Sequence, residues 1–262
     1  MNTLWLKQPG FDQGLSFTAM PFATKADIFK ALQTNILSLQ GIKHSNNSGL
    51  DDKLGRIKHS FPNDTFPLSA VHEFLSPRIE DVAATSGFIA CLLNAIMAGK
   101  GITLWISSSR KLFTPALKNF GIEPDNFIFI DLKKERDVNW AVDEALKCNS
   151  ISAVIGELRE IDFITSRRLQ LAVENSGATG FILRSNIRNL NNTACVARWK
   201  IAALPSEPID DLPGIGFPKW RVELLKVRNG KPGVWDVQWE NGKLVHLEKL
   251  HALSQEQQKK AG

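Results

Sequence analysis

The sequence predicts an α/β fold: a mostly parallel central sheet covered by helices on both faces, with an antiparallel extension at the carboxyl end. Three observations predict it. Between residues 70 and 184, short apolar runs alternate with helical stretches, as a parallel sheet requires, because each parallel pairing needs a long crossover. The runs show little polar alternation, the mark of strands buried on both faces. Beyond Trp199 the helical stretches stop and strand-like runs remain, separated by turn residues.

Each element follows in order. Residues 1–23 hold Pro9, Gly10, Gly14 and Pro21 without an apolar period and read as a disordered lead. Thr24 caps a helix over 25–40, the N-terminal element of 24–41, in which Ile28, Leu32, Ile36 and Leu39 make one apolar stripe that must pack on the body or on a partner. Residues 42–66 read as a linker, with a polar break at 46–49 and a charged, irregular lead-in over 51–65. The core spans 67–247. It opens with a strand at 70–74 and a helix at 84–98 stopped by Gly99 and Gly101. A strand at 102–106, a helix at 112–120 ended by Gly121, and a strand at 127–131 come next. The alternation continues with a helix at 138–148, a strand at 153–155, a helix at 165–175 ended by Gly177, and a strand at 180–184. Strands at 199–204, 220–227 and 234–239 form the antiparallel extension, with turn residues at 228–233. The Gln- and Lys-rich tail, 248–262, is expected to fray.

Bulk properties set the surroundings. A chain of 262 residues buries one substantial core. Cys91, Cys148 and Cys195 are widely spaced in apolar or mixed surroundings, which favours reduced core thiols and a cytoplasmic setting over a disulfide frame or a metal cage. No apolar run approaches the roughly twenty residues that cross a bilayer, and no leader pattern opens the chain, so no membrane is expected. A net charge of +5 suits a nucleic-acid neighbourhood without requiring one.

The chemistry is less conventional than the architecture. Residues 75–82 stand between strand and helix where a phosphate loop would lie, yet they lack the glycine-rich turn, lysine and hydroxyl that hold phosphates and magnesium. Glu80 and Asp81 instead put negative charge at the positive end of the helix. His72 and Glu73 are strand neighbours that face opposite ways and do not share a site. His44, His59, His246 and His251 lack metal-ligand spacing, and Ser107, Ser108 and Ser109 lack a nucleophile elbow. No catalytic, cofactor or metal residue is therefore expected. Contacts to nucleic acid or partners are sought at basic residues. Arg167 and Arg168 open a helix, where the wet-face reading is favoured. Arg184 and Arg188 sit at strand carboxyl ends, where open sheets place ligands. Lys226, Arg228 and Lys231 accompany Trp220, Trp235 and Trp239, a mixture that single strands exploit and that half-buried strands also show.

Five segments, at 66–73, 120–128, 166–179, 220–228 and 230–237, resemble the RecA superfamily, and more closely the ImuA-like error-prone repair proteins found beside bacterial translesion polymerases. The likeness covers about residues 24–245. It implies a RecA-like core whose nucleotide site has degenerated. The place of the phosphate-loop lysine and threonine falls at 82–86, where Ser86 is a poor substitute. That of the catalytic glutamate falls at Ser109, and that of the magnesium-linked aspartate near Gly156 or Glu157. The DNA-gripping loops are shortened to 159–163 and 186–193. The resemblance thus implies a non-catalytic accessory protein of the SOS response and translesion synthesis, without a cofactor. It implies an ImuB-like inactive Y-family polymerase as first partner, with an error-prone replicative-type polymerase and RecA nearby, and it leaves a direct contact with DNA open on weak support. A divergent RecA-type ATPase of DNA repair and a SulA-like cell-division inhibitor are the alternatives.

Overall fold

A computed structural model describes residues 48–97, 101–109, 112–185, 187, 190–206 and 216–247. The apolar runs become the strands β1 (Val71–Ser76), β2 (Ile102–Ser107), β3 (Phe127–Asp131), β4 (Ile151–Glu157), β5 (Thr179–Ser185), β6 (Ala197–Leu204), β7 (Lys219–Val227), β8 (Gly233–Glu240) and β9 (Lys243–His246). They join in one sheet of order β3-β2-β4-β5-β1-β6-β7-β8-β9. Pairing is parallel from β3 through β6 and antiparallel from β6 through β9. The α-helices are α1 (Ser48–Leu54), α2 (Ile79–Ile96), α3 (Glu135–Leu146) and α4 (Phe163–Ser176). The expected fold class is the observed one.

β1 lies between β5 and β6, and all six of its residues are buried. Its alternate side chains enter two separate cores. His72 and Phe74 face a core of α1, α2 and the inner sides of β6–β8, dominated by Phe66, Phe88, Trp199 and Trp220. Val71 and Glu73 face the other side, where α3 and α4 cover β2, β4 and β5 with aliphatic residues such as Val138, Val142 and Leu169. Gly156 permits that cover, since a Cβ there would meet Val142 Cγ2 at 2.6 Å.

Several boundaries differ from expectation. The lead-in over 51–65 is not irregular: α1 and the 3-10 turns Gly55–Ser60 and Pro62–Asp64 carry Leu50, Leu54, Ile57 and Phe61 into the aromatic core. Their helical spacing is hidden in the sequence by Asp51, Asp52, Lys53 and Gly55. The helix expected at 112–120 is a 3-10 turn, Thr114–Phe120, with Pro115 in its first turn; Gly121 ends it at φ 71°. Helices begin earlier than their apolar period does. α4 starts at Phe163 because the Asp162 carboxylate accepts the Thr165 N–H at 2.6 Å. The run at 199–204 does not open the antiparallel extension, since β6 pairs parallel with β1 and only β7 reverses direction. β9, unforeseen, follows an Asn241–Gly242 turn with both φ positive (49° and 76°), the geometry of a tight hairpin. α2 is long and apolar enough to cross a membrane by composition alone, but most of its residues are buried in this core. Cys91 and Cys195 are buried and Cys148 is exposed, against the expectation of three core thiols. The lead at 1–23, the stripe Ile28, Leu32, Ile36 and Leu39, the tail from 248 and Arg188 lie outside the described residues.

Candidate functional site

In an open parallel sheet the ligand position is the crevice at the carboxyl ends of the strands. Here those ends are Ser76 of β1, Glu157 of β4 and Ser185 of β5. They enclose, with Val82, Leu183 and Arg184, a cavity of about 10 Å³. That is space for one water at most.

The closure has identifiable causes. Strand β1 runs to Ser76 and helix α2 begins at Ile79, leaving only Pro77 and Arg78 as the connection. So short a link cannot wrap a row of N–H groups around a phosphate. Its place at the head of α2 is taken by an internal ion pair. Arg78 Nε and Nη2 donate to the two carboxylate oxygens of Asp81 at 3.0 and 2.8 Å, a forked contact. Those bonds, and a further one from the Ala203 N–H, hold the Asp81 carboxyl below the usual carboxylate range despite its burial. Thr85 Oγ1 donates to the Asp81 carbonyl oxygen at 2.7 Å, so its 2.8 Å contact with Ser76 must be donated by the Ser76 hydroxyl. Both hydroxyls nearest the strand-to-helix link are thereby engaged. Ser86 is engaged too, donating to the Val82 carbonyl at 2.9 Å. Glu157 accepts the Trp105 indole N–H at 2.8 Å.

Of the expected basic residues that are described, Arg184 is buried, Arg228 half-buried and the rest exposed. Arg184, 1 % exposed, donates from Nη1 to Glu73 Oε1 at 2.7 Å and from Nε to the Arg159 carbonyl at 3.4 Å. Arg198 was not foreseen; its Nε donates to Glu73 Oε2 at 2.7 Å and its Nη2 to the Asn191 carbonyl at 2.6 Å. Thr193 Oγ1 adds a third donor to Glu73 at 2.9 Å. Lys226 Nζ and Arg228 Nη2 then hold the carbonyls of Thr193 and Ala194 at 2.8 and 3.0 Å. These residues converge on one stretch of backbone, 191–196, which returns the chain from β5 to β6. Lys231 is exposed, and its backbone N–H donates to the Ser60 carbonyl at 2.9 Å. Arg168 reaches across to Asp143 on α3 at 3.1 Å, whereas Arg167 is exposed and enters no ion pair or hydrogen bond among the described residues. Trp220 and Trp239 are buried, so neither indole face is open for stacking.

Sequence reasoning missed the Arg198–Glu73–Arg184 cluster. The available signal was a carboxylate inside an apolar run: Glu73 in the middle of a doubly buried strand demands a cation. On the aromatic side, an open apolar groove of about 720 Å³ runs between α2, the 3-10 turn and the junction of β6 and β7. Its floor is small residues, Ala83, Gly87 and Ala90, and its walls are Phe113, Phe120 and Trp220.

A one-water cavity, a two-residue strand-to-helix link and engaged hydroxyls mark the strand ends of this open-sheet α/β protein among the described residues. Its sequence is 32 % identical over 194 residues to Protein ImuA of Caulobacter vibrioides strain NA1000 / CB15N, an alignment covering 70 % of this chain and 80 % of that relative. Protein ImuA of strain ATCC 19089 / CIP 103742 / CB 15 matches equally. No family model matches the sequence. By this likeness the chain belongs to the ImuA family.

Proposed function

We propose that this chain is a non-catalytic, RecA-like accessory protein of damage-induced, error-prone DNA synthesis that works by binding proteins. The observation that carries the reading is the closed strand-end crevice in a member of the ImuA family. A triphosphate needs backbone donors and cations directed at its oxygens. At this position the donors serve Asp81 and Glu73 instead. Hydrolysis also requires a base, and Ser109, in the place the resemblance assigns to it, cannot serve at neutral pH. What remains is a rigid sheet with helices on both faces, suited to holding partners in register. An ImuB-like inactive Y-family polymerase is the first partner in this reading, and an error-prone replicative-type polymerase and RecA are its wider company.

Calorimetry of the full chain against ATP with magnesium tests the claim. No binding heat and no phosphate release are the expected results. Saturable binding at micromolar nucleotide would overturn the non-catalytic reading. Failure of the purified chain to co-purify with the ImuB-like protein of its own genome would overturn the partner assignment.

A further inference from the structure

The outer surfaces of α3 and α4 carry apolar side chains that the fold does not use. Trp140 on α3 is 65 % exposed, and on α4 Ile164 and Leu171 are 78 % and 44 % exposed. The Arg168–Asp143 contact ties the two helices together at 3.1 Å. Trp140 lies one turn before Asp143, while Ile164 and Leu171 lie one turn before and one turn after Arg168, so the three gather around the bridge. Scattered exposed apolar residues are ordinary, but a Trp, an Ile and a Leu grouped beside arginines have the composition of an interface centre.

Charge narrows the partner. The carboxylates around the patch are already engaged: Asp143 with Arg168 and Lys147, Glu144 with Lys147, Glu135 with Arg159, Asp162 with the Thr165 N–H, and Glu174 with Gln170. Arg167, flanked by Ile164 and Leu171 on the same face, is the cation left over. We propose that this face docks an amphipathic helix of a partner protein, its apolar stripe on Trp140, Ile164 and Leu171 and one of its carboxylates on Arg167. A single strand of nucleic acid suits the surface poorly, because the neighbouring Arg136, Arg159 and Arg168 are each held by a carboxylate and do not offer the row of free cations that a phosphate backbone needs. A second copy suits it poorly too, since a two-fold contact would set Arg167 and its basic neighbours against themselves.

The proposal rests on the protein-binding reading above and adds the surface and the partner's chemistry. The test uses the full chain labelled with 5-fluorotryptophan, with the Trp140 resonance assigned from Trp140→Phe. The probes are a panel of helical peptides bearing a leucine stripe and one glutamate a turn away, and the same peptides with lysine in its place. The glutamate peptides should shift the Trp140 signal, Arg167→Glu should weaken them roughly tenfold, and Arg167→Glu should gain the lysine peptides. A Trp140 signal that stays still, that answers both peptide charges alike, or that moves instead with protein concentration or an oligonucleotide overturns the proposal. Because nucleotide calorimetry is independent of this surface, a silent titration with a motionless Trp140 removes the docking face alone, whereas nucleotide binding removes the scaffold reading whatever the peptides do.

Discussion

The two sides of β1 handle burial in opposite ways. One residue apart in the chain, His72 enters a wholly aromatic setting and Glu73 a charged one. His72 stacks on Phe66 at 4.4 Å, donates from Nε2 to the Pro67 carbonyl at 2.7 Å, and accepts the Trp199 indole N–H at Nδ1. It is neutral, and burial pushes its pKa down to about 4. Glu73, equally buried, is satisfied by two guanidinium groups and a hydroxyl. The aromatic side is held by packing, while the charged side is held by a network that also fixes the loops at Arg159 and Asn191. The contrast teaches why the strand ends look functional in sequence and are not open in structure. Cations that would face a ligand at the crevice have been turned onto a carboxylate of the sheet itself.

The largest effect should come from breaking the charged side. Glu73→Ala leaves two buried guanidinium groups against each other, and loss of one partner of a buried ion pair costs about 3–5 kcal/mol. Urea unfolding should show that loss. Replacing Glu73, Arg184 and Arg198 together by methionine should recover much of it, because the penalty comes from the orphaned charges more than from the absent attraction. A triple variant no more stable than Glu73→Ala would mean that the loop contacts at Arg159 and Asn191, not charge balance, dominate.

The aromatic side should respond to pH. His72 in the unfolded chain has an ordinary pKa of 6.5, against about 4 in the fold. The folded state therefore binds fewer protons between these values, and its stability is full above pH 6.5 and lost as pH falls toward 4. Between pH 7 and 5 the loss from this residue is about 2 kcal/mol. His72→Phe should flatten that slope while lowering stability at neutral pH, since the Trp199 indole and the Pro67 carbonyl lose their partner. An unchanged slope would show that His72 does not govern acid sensitivity. Asp81 acts in a lower window. Its depressed pKa gives stability that persists above the carboxylate range and disappears as pH falls through it, so Asp81→Asn should cost about 1–2 kcal/mol at pH 7 and little at strongly acid pH.

What was legible in the sequence followed the same division. Strands came through because Phe74, Ile155 and Phe181 sit in runs of one chemical character, and burial on both faces leaves no competing pattern. α1 was lost because two core residues, Leu50 and Leu54, are separated by three charged ones, and β9 was lost although Asn241 and Gly242 announce a hairpin. The glycine-free link between β1 and α2 was readable from residues 75–82. The destination of the arginines was not, because Glu73 and Arg198 meet across β1 and β6 and are distant in sequence. Local periodicity reports which face of an element is buried. It does not report which distant charge will neutralise another.

The smallest expected effect is the most telling about the crevice. Glu157 stands near the place that the resemblance to RecA assigns to a metal-linked carboxylate, and its Oε1 accepts the Trp105 indole N–H at 2.8 Å. If that bond is structural, Glu157→Ala removes one net hydrogen bond, and stability should fall by about 1 kcal/mol or less. Damage-induced mutation frequency in cells carrying the variant should then match the parent, and Glu157→Gln, which keeps an acceptor for Trp105, should restore the lost stability. A different outcome would reverse the comparison. Were both variants folded at parental stability and both unable to support mutagenesis, the carboxylate charge itself would be required, and the strand ends would be a working site that opens around it.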